Sequence, residues 1–443
     1  MTQTYQSNRR VIFAPGMFSW TNKGDAALVL SFLSWIEGEF QTGEIILTSF
    51  TPTRDSEYFN RQVIEMVTRP NRRIHRLGDR FLRRLPSARL ALTYLRFARL
   101  SCVLFLIPLW AKLYRRNANI ASLLAPAHVS IAADAIAQSS LVVTVPGGYL
   151  NALRATNDWW LFHVPTLALA KALGKTIVLS PCSIGPFDRR HESRAKRTLK
   201  LADVVMVREK WSYEECIRLQ CPPSKVFETA DMAFWFASEG RSQDRTTEVE
   251  ELLAGRSRKA LVGVSVREHN FPGSANPRAE QRKYLDCVAL ALGELQRKFD
   301  AQILIIPQTM EDISTGEDLA NRLKARGLDF ENIQSDLSPI QLQDLYGSIQ
   351  LLVGTRMHAN ILAMCAGTPV AAIAYEPKTL GILRSMGLSD WGLAITDLGE
   401  DRLTQLVERQ WLAAPELAKV ATSRAAEQSD RIDDAWAAVA HLI

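Results

Sequence analysis

Short apolar runs, each followed by a stretch with helical spacing, recur in two series along this chain. In the first, residues 10–14 and 44–49 read as strands around a helical period over 26–36. After a break the pattern resumes, with strands at 141–145, 175–180 and 203–207 and helices over 158–173, 189–201 and 209–219. The second series has strands at 261–267, 302–307 and 349–353 and helices over 282–299, 312–325 and 338–346. Strands that are apolar throughout need both faces covered, so parallel strands joined by crossover helices are the simplest account. A chain of 443 residues exceeds what one core usually serves. Two doubly wound α/β domains are therefore expected: residues 1–237, a linker at 238–259 rich in Glu, Arg, Ser, Gly and Thr, and 260–443 with a mostly helical tail from 403.

Residues 56–125 interrupt the first series and read as a helical, basic insertion. Arg69, Arg72, Arg73, Arg76, Arg80, Arg83, Arg84, Arg89, Arg96, Arg99 and Arg115 recur there, while Glu65 and Asp79 are almost the only acids. A net charge of +6 suits nucleic acid, an acidic membrane face or an anionic substrate. The charge is concentrated beside the most apolar run of the chain, residues 100–110, so no nucleic-acid partner is expected. That run is shorter than the ~20 residues that span a bilayer, and Pro108 interrupts it. It fits an interfacial element on an anionic membrane, or a core helix whose arginines form a solvated face.

The six cysteines are scattered, without paired spacing or neighbouring histidines, which argues against a disulfide framework and a structural metal. No apolar leader precedes residue 10, so a cytoplasmic protein, peripheral at most on the inner face of the membrane, is expected.

The chemistry concentrates at Gly354-Thr355-Arg356-Met357-His358-Ala359-Asn360, which reads as strand, tight turn and helix. Arg356 and His358 then stand at a helix mouth, where free N–H groups and the positive dipole end favour an anion. Near the N-terminus, Asn22-Lys23-Gly24-Asp25 leads into the 26–36 helix. Asp25 can simply cap it, or can lie with Gly24 at the carboxyl end of the first strand, where open α/β sheets bind ligands. Gly147 and Gly148 follow another strand and allow close backbone approach. His163, beside Trp159 and Trp160, reads as a packed core residue.

The Arg356 stretch, with Gly367-Thr368-Pro369 and Tyr375-Glu376-Pro377-Lys378, resembles the polysaccharide pyruvyl transferase family. Asn22-Lys23-Gly24-Asp25-Ala26-Ala27, Pro146-Gly147-Gly148, Ser183-Ile184-Gly185-Pro186 and Val207-Arg208-Glu209-Lys210-Trp211-Ser212 are similar to further motifs of that family, in the same order. The resemblance implies a GT-B-like pair of Rossmann-like domains facing across a cleft. It also implies transfer of a pyruvyl group from phosphoenolpyruvate to a sugar of a cell-surface or exopolysaccharide precursor, with release of phosphate. The acceptor would be a saccharide, lipid-linked in the reading favoured here. No cofactor or metal is called for beyond the donor substrate.

Arginine suits such a donor because its fork binds carboxylate or phosphate through paired N–H bonds. Arg356 is the first candidate, with Arg267, Lys378 and Arg208 as helpers and Asn22, Gly24, Gly147 and Gly148 lining the substrate site. His358 can donate the proton to the methylene carbon or bind phosphate. Asp25, expected on the domain opposite Arg356, can accept a sugar hydroxyl proton. Arg267 can instead form an ion pair with Glu268 or Asp231. The competing classes are a nucleotide-sugar-dependent GT-B glycosyltransferase, with Glu376 holding a ribose, and an inactive scaffold.

Overall fold

The computed structural model describes residues 11–440 apart from 17, 41–43, 69–85, 153–158, 240–245 and 255–259. By contacts the chain divides into two units, and neither is one continuous stretch of sequence. The first comprises residues 1–20, 28–230 and 433–443; the second comprises 21–27 and 231–432.

The first unit is built on an eight-stranded parallel sheet. Its strands are β1 (Val11–Ala14), β2 (Glu44–Ser49), β3 (Gln62–Glu65), β4 (Leu141–Val143), β5 (Gly147–Ala152), β6 (Ile177–Phe187), β7 (Val204–Val207) and β8 (Val226–Glu228). They run in the order β3-β2-β1-β4-β6-β7-β8, and β5 adds to β6. The core strands are buried over most of their length, as the apolar runs require: Ile12, Phe13, Val142, Val178, Leu179, Val204 and Val205 are all at 0 % exposure.

Two expectations for this region change. Residues 56–125 contain a strand, β3, paired in parallel with β2, so the basic insertion is not helical throughout: the end of the helix Pro52–Phe59 precedes the strand and longer helices follow it. Its side chains are partly buried rather than apolar throughout, as befits an edge strand, and that hid it from an apolar-run criterion. The run 100–110 lies within the helix Pro86–Arg116 and is split by helical periodicity rather than wholly buried or wholly free. Leu100, Ile107 and Ala111 join the core of the first unit, while Phe105, Leu106 and Leu109 face outward at 75 %, 56 % and 61 % exposure. Arg69, Arg72, Arg73, Arg76, Arg80, Arg83 and Arg84 lie outside the described residues.

The second unit carries a six-stranded parallel sheet: β9 (Leu261–Ser265), β10 (Gln302–Ile305), β11 (Phe330–Asn332), β12 (Leu351–Gly354), β13 (Val370–Ala374) and β14 (Gly392–Ala394). Their order is β11-β10-β9-β12-β13-β14, so the winding reverses between β9 and β12. In open α/β sheets ligands bind at the carboxyl ends of the strands at such a reversal. Ser338 and Gln341 form a capping box, with Pro339 at the first position, at the start of the helix Pro339–Tyr346.

The unit boundary falls between Ala230 and Asp231 rather than after residue 237, and no single linker separates the two. Residues 21–27 leave the first series because Asn22 bridges to Thr309 and the Lys23 N–H donates to the Gln308 carbonyl at 3.3 Å. The tail returns to the first unit at residue 433, where Asp433 accepts from the Trp35 indole at 2.9 Å and Trp436 stacks on that ring at 4.4 Å.

Candidate active site

The reversal in the second sheet places two arginines. Gly354, the last residue of β12, is in register with Ser265 of β9, and the Thr355 N–H donates to the Ser265 carbonyl at 2.8 Å. Arg356 and Arg267 thus leave the carboxyl ends of the two central strands side by side. Gly354 is required there because Asn360, one turn into the helix Met357–Cys365, folds its amide back to donate to the Gly354 carbonyl at 3.1 Å. A Cβ on Gly354 would occupy the space of the Asn360 side-chain oxygen.

Arg356 is the N-cap of that helix but lends it no side-chain bond, so the first-turn N–H groups keep the anion-binding character of a bare helix start. Its guanidinium is held from behind. Nε donates to both oxygens of Asp312 at 3.1 and 3.0 Å, and Nη2 reaches Asp312 Oδ1 at 2.5 Å and Thr309 Oγ1 at 3.2 Å. Among the described residues Nη1 makes no hydrogen bond, which leaves one edge of the fork for a ligand. Asp312 is itself fixed at 1 % exposure by the N–H groups of Gln308 and Thr309.

His358, two residues on, lies against the N-terminal motif. A Cβ at Gly24 would collide with its imidazole, so the backbone at Gly24 passes as close to the ring as the absence of a side chain allows. The Gly24 N–H is turned in by the Asn22 side-chain oxygen at 3.1 Å, and Lys23 is anchored to Asp336 at 2.7 Å. On the other ring nitrogen, Nε2 lies 3.8 Å from Oδ2 of Asp231, a fully buried carboxylate that also accepts from the Ala233 N–H. Two motifs more than three hundred residues apart in sequence are thereby in contact.

Arg267 does not form an ion pair with Glu268 or Asp231. It donates to the Glu268 carbonyl at 3.1 Å and lies over the Tyr375 ring at 4.0 Å, a cation–π contact. Burial pushes the Tyr375 hydroxyl up, reinforced by Glu376, and Arg267 and Arg356 pull it the other way, so both arginines act on one phenol. His269 is held toward its neutral form by burial and by Arg267. Lys378 stands in the first turn of the helix Pro377–Ser385, its Nζ 3.7 Å from Glu376.

Other candidates fall elsewhere. Asp25 is in the first turn of the helix Lys23–Phe40 and belongs to the same unit as Arg356, not to the opposite one, because the Asn22–Gly24 turn docks on Gln308 and Thr309. Arg208 belongs to the first unit and is buried beside Glu209: Nε donates to Ser183 Oγ at 2.8 Å and to Glu209 Oε1 at 3.2 Å. Ser183 and Ser212 also donate to Glu209, so the two middle motifs are stitched to one another. Gly147 and Gly148 open β5 in that same unit. The roles of Asp312 and Asp231 were missed by sequence reasoning. Asp312 was visible only as the first residue of a helix and Asp231 only as an alternative ion-pair partner for Arg267, and nothing in their spacing pointed at Arg356 or His358. Among the described residues no three His, Cys, Asp or Glu side chains converge as a metal-binding set.

The model of the family described as polysaccharide pyruvyl transferase matches residues 22–377. The amylovoran biosynthesis protein AmsJ of Erwinia amylovora is 23% identical over 294 residues, which is 62% of this chain and 66% of that protein's length. Among solved structures, S. aureus MnaA bound to UDP superposes with a TM-score of 0.56 at 11% identity, covering 98% of each chain. Anabaena HepE in complex with UDP gives 0.53 at 14% identity, over 98% of this chain and 99% of that one. At such identities the likeness is one of fold, and it is the GT-B-like, two-sheet fold anticipated from the sequence.

Proposed function

The chain belongs to the polysaccharide pyruvyl transferase family, and on that premise we propose that it transfers the pyruvyl group of phosphoenolpyruvate to two hydroxyls of a saccharide, forming a cyclic ketal and releasing phosphate. The observation that carries this reading is the contact of the Gly24 turn with His358 beside an Arg356 whose back edge is occupied by Asp312 and whose front edge is open.

In this reading Arg356 Nη1 and the first-turn N–H groups of Met357–Cys365 receive one anionic group of the donor, and Arg267 the other. His358 gives a proton to C3 of the enol, with Asp231 orienting the ring and balancing the charge it carries beforehand. C2 becomes electrophilic, a sugar hydroxyl adds to it and loses its proton, the C2–O bond to phosphate breaks, and the second hydroxyl closes the ring as its proton leaves. Asp25, one residue beyond Gly24, is the carboxylate proposed to take a hydroxyl proton. The acceptor is proposed to be a lipid-linked precursor of a cell-surface glycan. Phosphate, not nucleotide, is the leaving group.

Incubation with phosphoenolpyruvate and lipid-linked oligosaccharides tests this directly. Stoichiometric phosphate release and the mass gain of a pyruvyl ketal are expected. Release of UDP from a nucleotide sugar, with no phosphate from phosphoenolpyruvate, would replace the reading with a glycosyltransferase, which fold likeness to UDP-bound proteins would suit.

A further inference from the structure

The outward face of the basic insertion has no part in the site described above. In the helix Pro86–Arg116 the positions turned inward from residue 98 on are Leu100, Val103, Leu104, Ile107, Trp110, Ala111 and Tyr114, and all pack on the core of the first unit. The opposite face should then be polar. Instead it shows Phe105, Leu106 and Leu109, more than half exposed and spaced as a helical stripe. The next helix, Ala118–Leu123, is fastened to the first by the Trp110 indole, which donates to the Ala121 carbonyl at 3.0 Å. It adds Ile120, Leu123 and Leu124 at 48 %, 85 % and 70 % exposure. Six large apolar side chains held outward by a fixed pair of helices exceed the scattered exposure normal for a soluble surface.

Charge identifies what covers them. From residue 98 to residue 133 there are four Lys and Arg, namely Arg99, Lys112, Arg115 and Arg116, and no Asp or Glu. All four are exposed. The next acid, Asp134, is exposed, lies beyond this stretch and accepts from the Tyr114 hydroxyl. Ile131, also exposed, is left out of this surface because it shares a cavity with Glu57 and Glu65. A protein partner would be met by charges of both signs, whereas an apolar stripe rimmed by cations alone matches the boundary between anionic headgroups and acyl chains. Among the described residues no helix is long and apolar enough to cross a membrane. We infer that the helical pair 98–124 is a membrane-docking surface that lays Phe105, Leu106, Leu109, Leu123 and Leu124 into one leaflet of an anionic bilayer, with Arg99, Lys112, Arg115 and Arg116 at the phosphate level.

The inference is independent of the donor reading, since it uses none of the residues placed at the active site. It is tested by sedimentation of the full chain with vesicles of phosphatidylcholine alone and with phosphatidylglycerol added. Binding to the anionic vesicles at low salt, weakened by added salt, is expected. Arg115→Gln with Arg116→Gln should lower the partition coefficient by about fivefold for each charge removed. Phe105→Ser with Leu109→Ser should lower it by at least about tenfold, with thermal midpoints unchanged because all four side chains are already in solvent. Two results overturn the inference. One is equal recovery in the supernatant with both vesicle types at low salt. The other is self-association that the serine variants abolish without any vesicle binding by the wild type, which would make the face an interface between copies of the chain.

Discussion

Each unit of this molecule contains an arginine held by a carboxylate and a histidine near the end of a sheet, yet the two sets are arranged for different work. In the first unit Arg208 and Glu209 side chains are each at 2 % exposure and His163 is at 0 %. In the second, Arg356 and His358 retain 17 % and 16 %. Arg208 directs Nε at Ser183 and Glu209 and ties two motifs together. Arg356 is gripped on one edge by Asp312 and open on the other. His163 is stacked on Tyr149 at 4.2 Å with neither ring nitrogen hydrogen-bonded among the described residues, and burial brings its pKa down from 6.5 to about 3. His358 lies between a glycine backbone and a buried carboxylate. Residue type does not distinguish the two sets; the second alone presents an open, pre-oriented donor, at Arg356.

The contrast makes its largest claim at His358. His358→Gln should lower turnover by about 10²–10⁴-fold, the usual worth of general acid catalysis, while donor affinity falls much less. Equal losses in binding and turnover would turn His358 into a phosphate ligand. Arg208→Ala should leave Glu209 buried without its partner and cost about 3–5 kcal/mol of stability, read from denaturant midpoints. A variant that loses activity with unchanged stability would move Arg208 into the chemistry and erase the contrast.

Arg356→Lys should keep the fold and lose about 1.5–3 kcal/mol of transition-state binding. An ammonium cannot hold Asp312 and present a second donor edge at once. Near wild-type phosphate release would remove Arg356 from the anion site. The smallest effect concerns His163 and acid. A histidine held neutral in the folded chain takes up its proton on unfolding below pH 6.5, so stability present above that pH is lost as pH falls toward about 3. The loss should reach about 2 kcal/mol by pH 5. His163→Phe should flatten that slope, and an unchanged acid slope would mean that water reaches the ring.

The central strands of both sheets could be read in the sequence because they are apolar on both faces and their helices keep a clean period, whereas the short strands β5, β8, β11 and β14 were not read. β3 escaped because an edge strand does not need that composition. At the site, Arg356, His358, Asn22 and Gly24 were legible as motif residues at turns, but the partner of each was not. Asp312 and Asp231 act through tertiary placement, one 44 residues from Arg356 and the other at the far sequence end of the same unit from His358. Asp25 was assigned to the wrong unit for a related reason. Its helix begins in one unit and continues in the other, and hydrophobic periodicity, which runs unbroken through both, carries no mark of the change.

That divided helix bears on how such a protein can be exchanged or engineered. A crossover at residue 230 would appear to deliver the second unit whole, but it would transplant Arg356, His358 and Asp312 without Asn22, Lys23 and Gly24. The imidazole of His358 would lose the backbone it lies against, and Gln308 and Thr309 would lose their pairing with residues 22 and 23. Chimeras with a different first unit would therefore keep this arrangement of residues only if the N-terminal turn travelled with the unit it serves, as two cassettes rather than one.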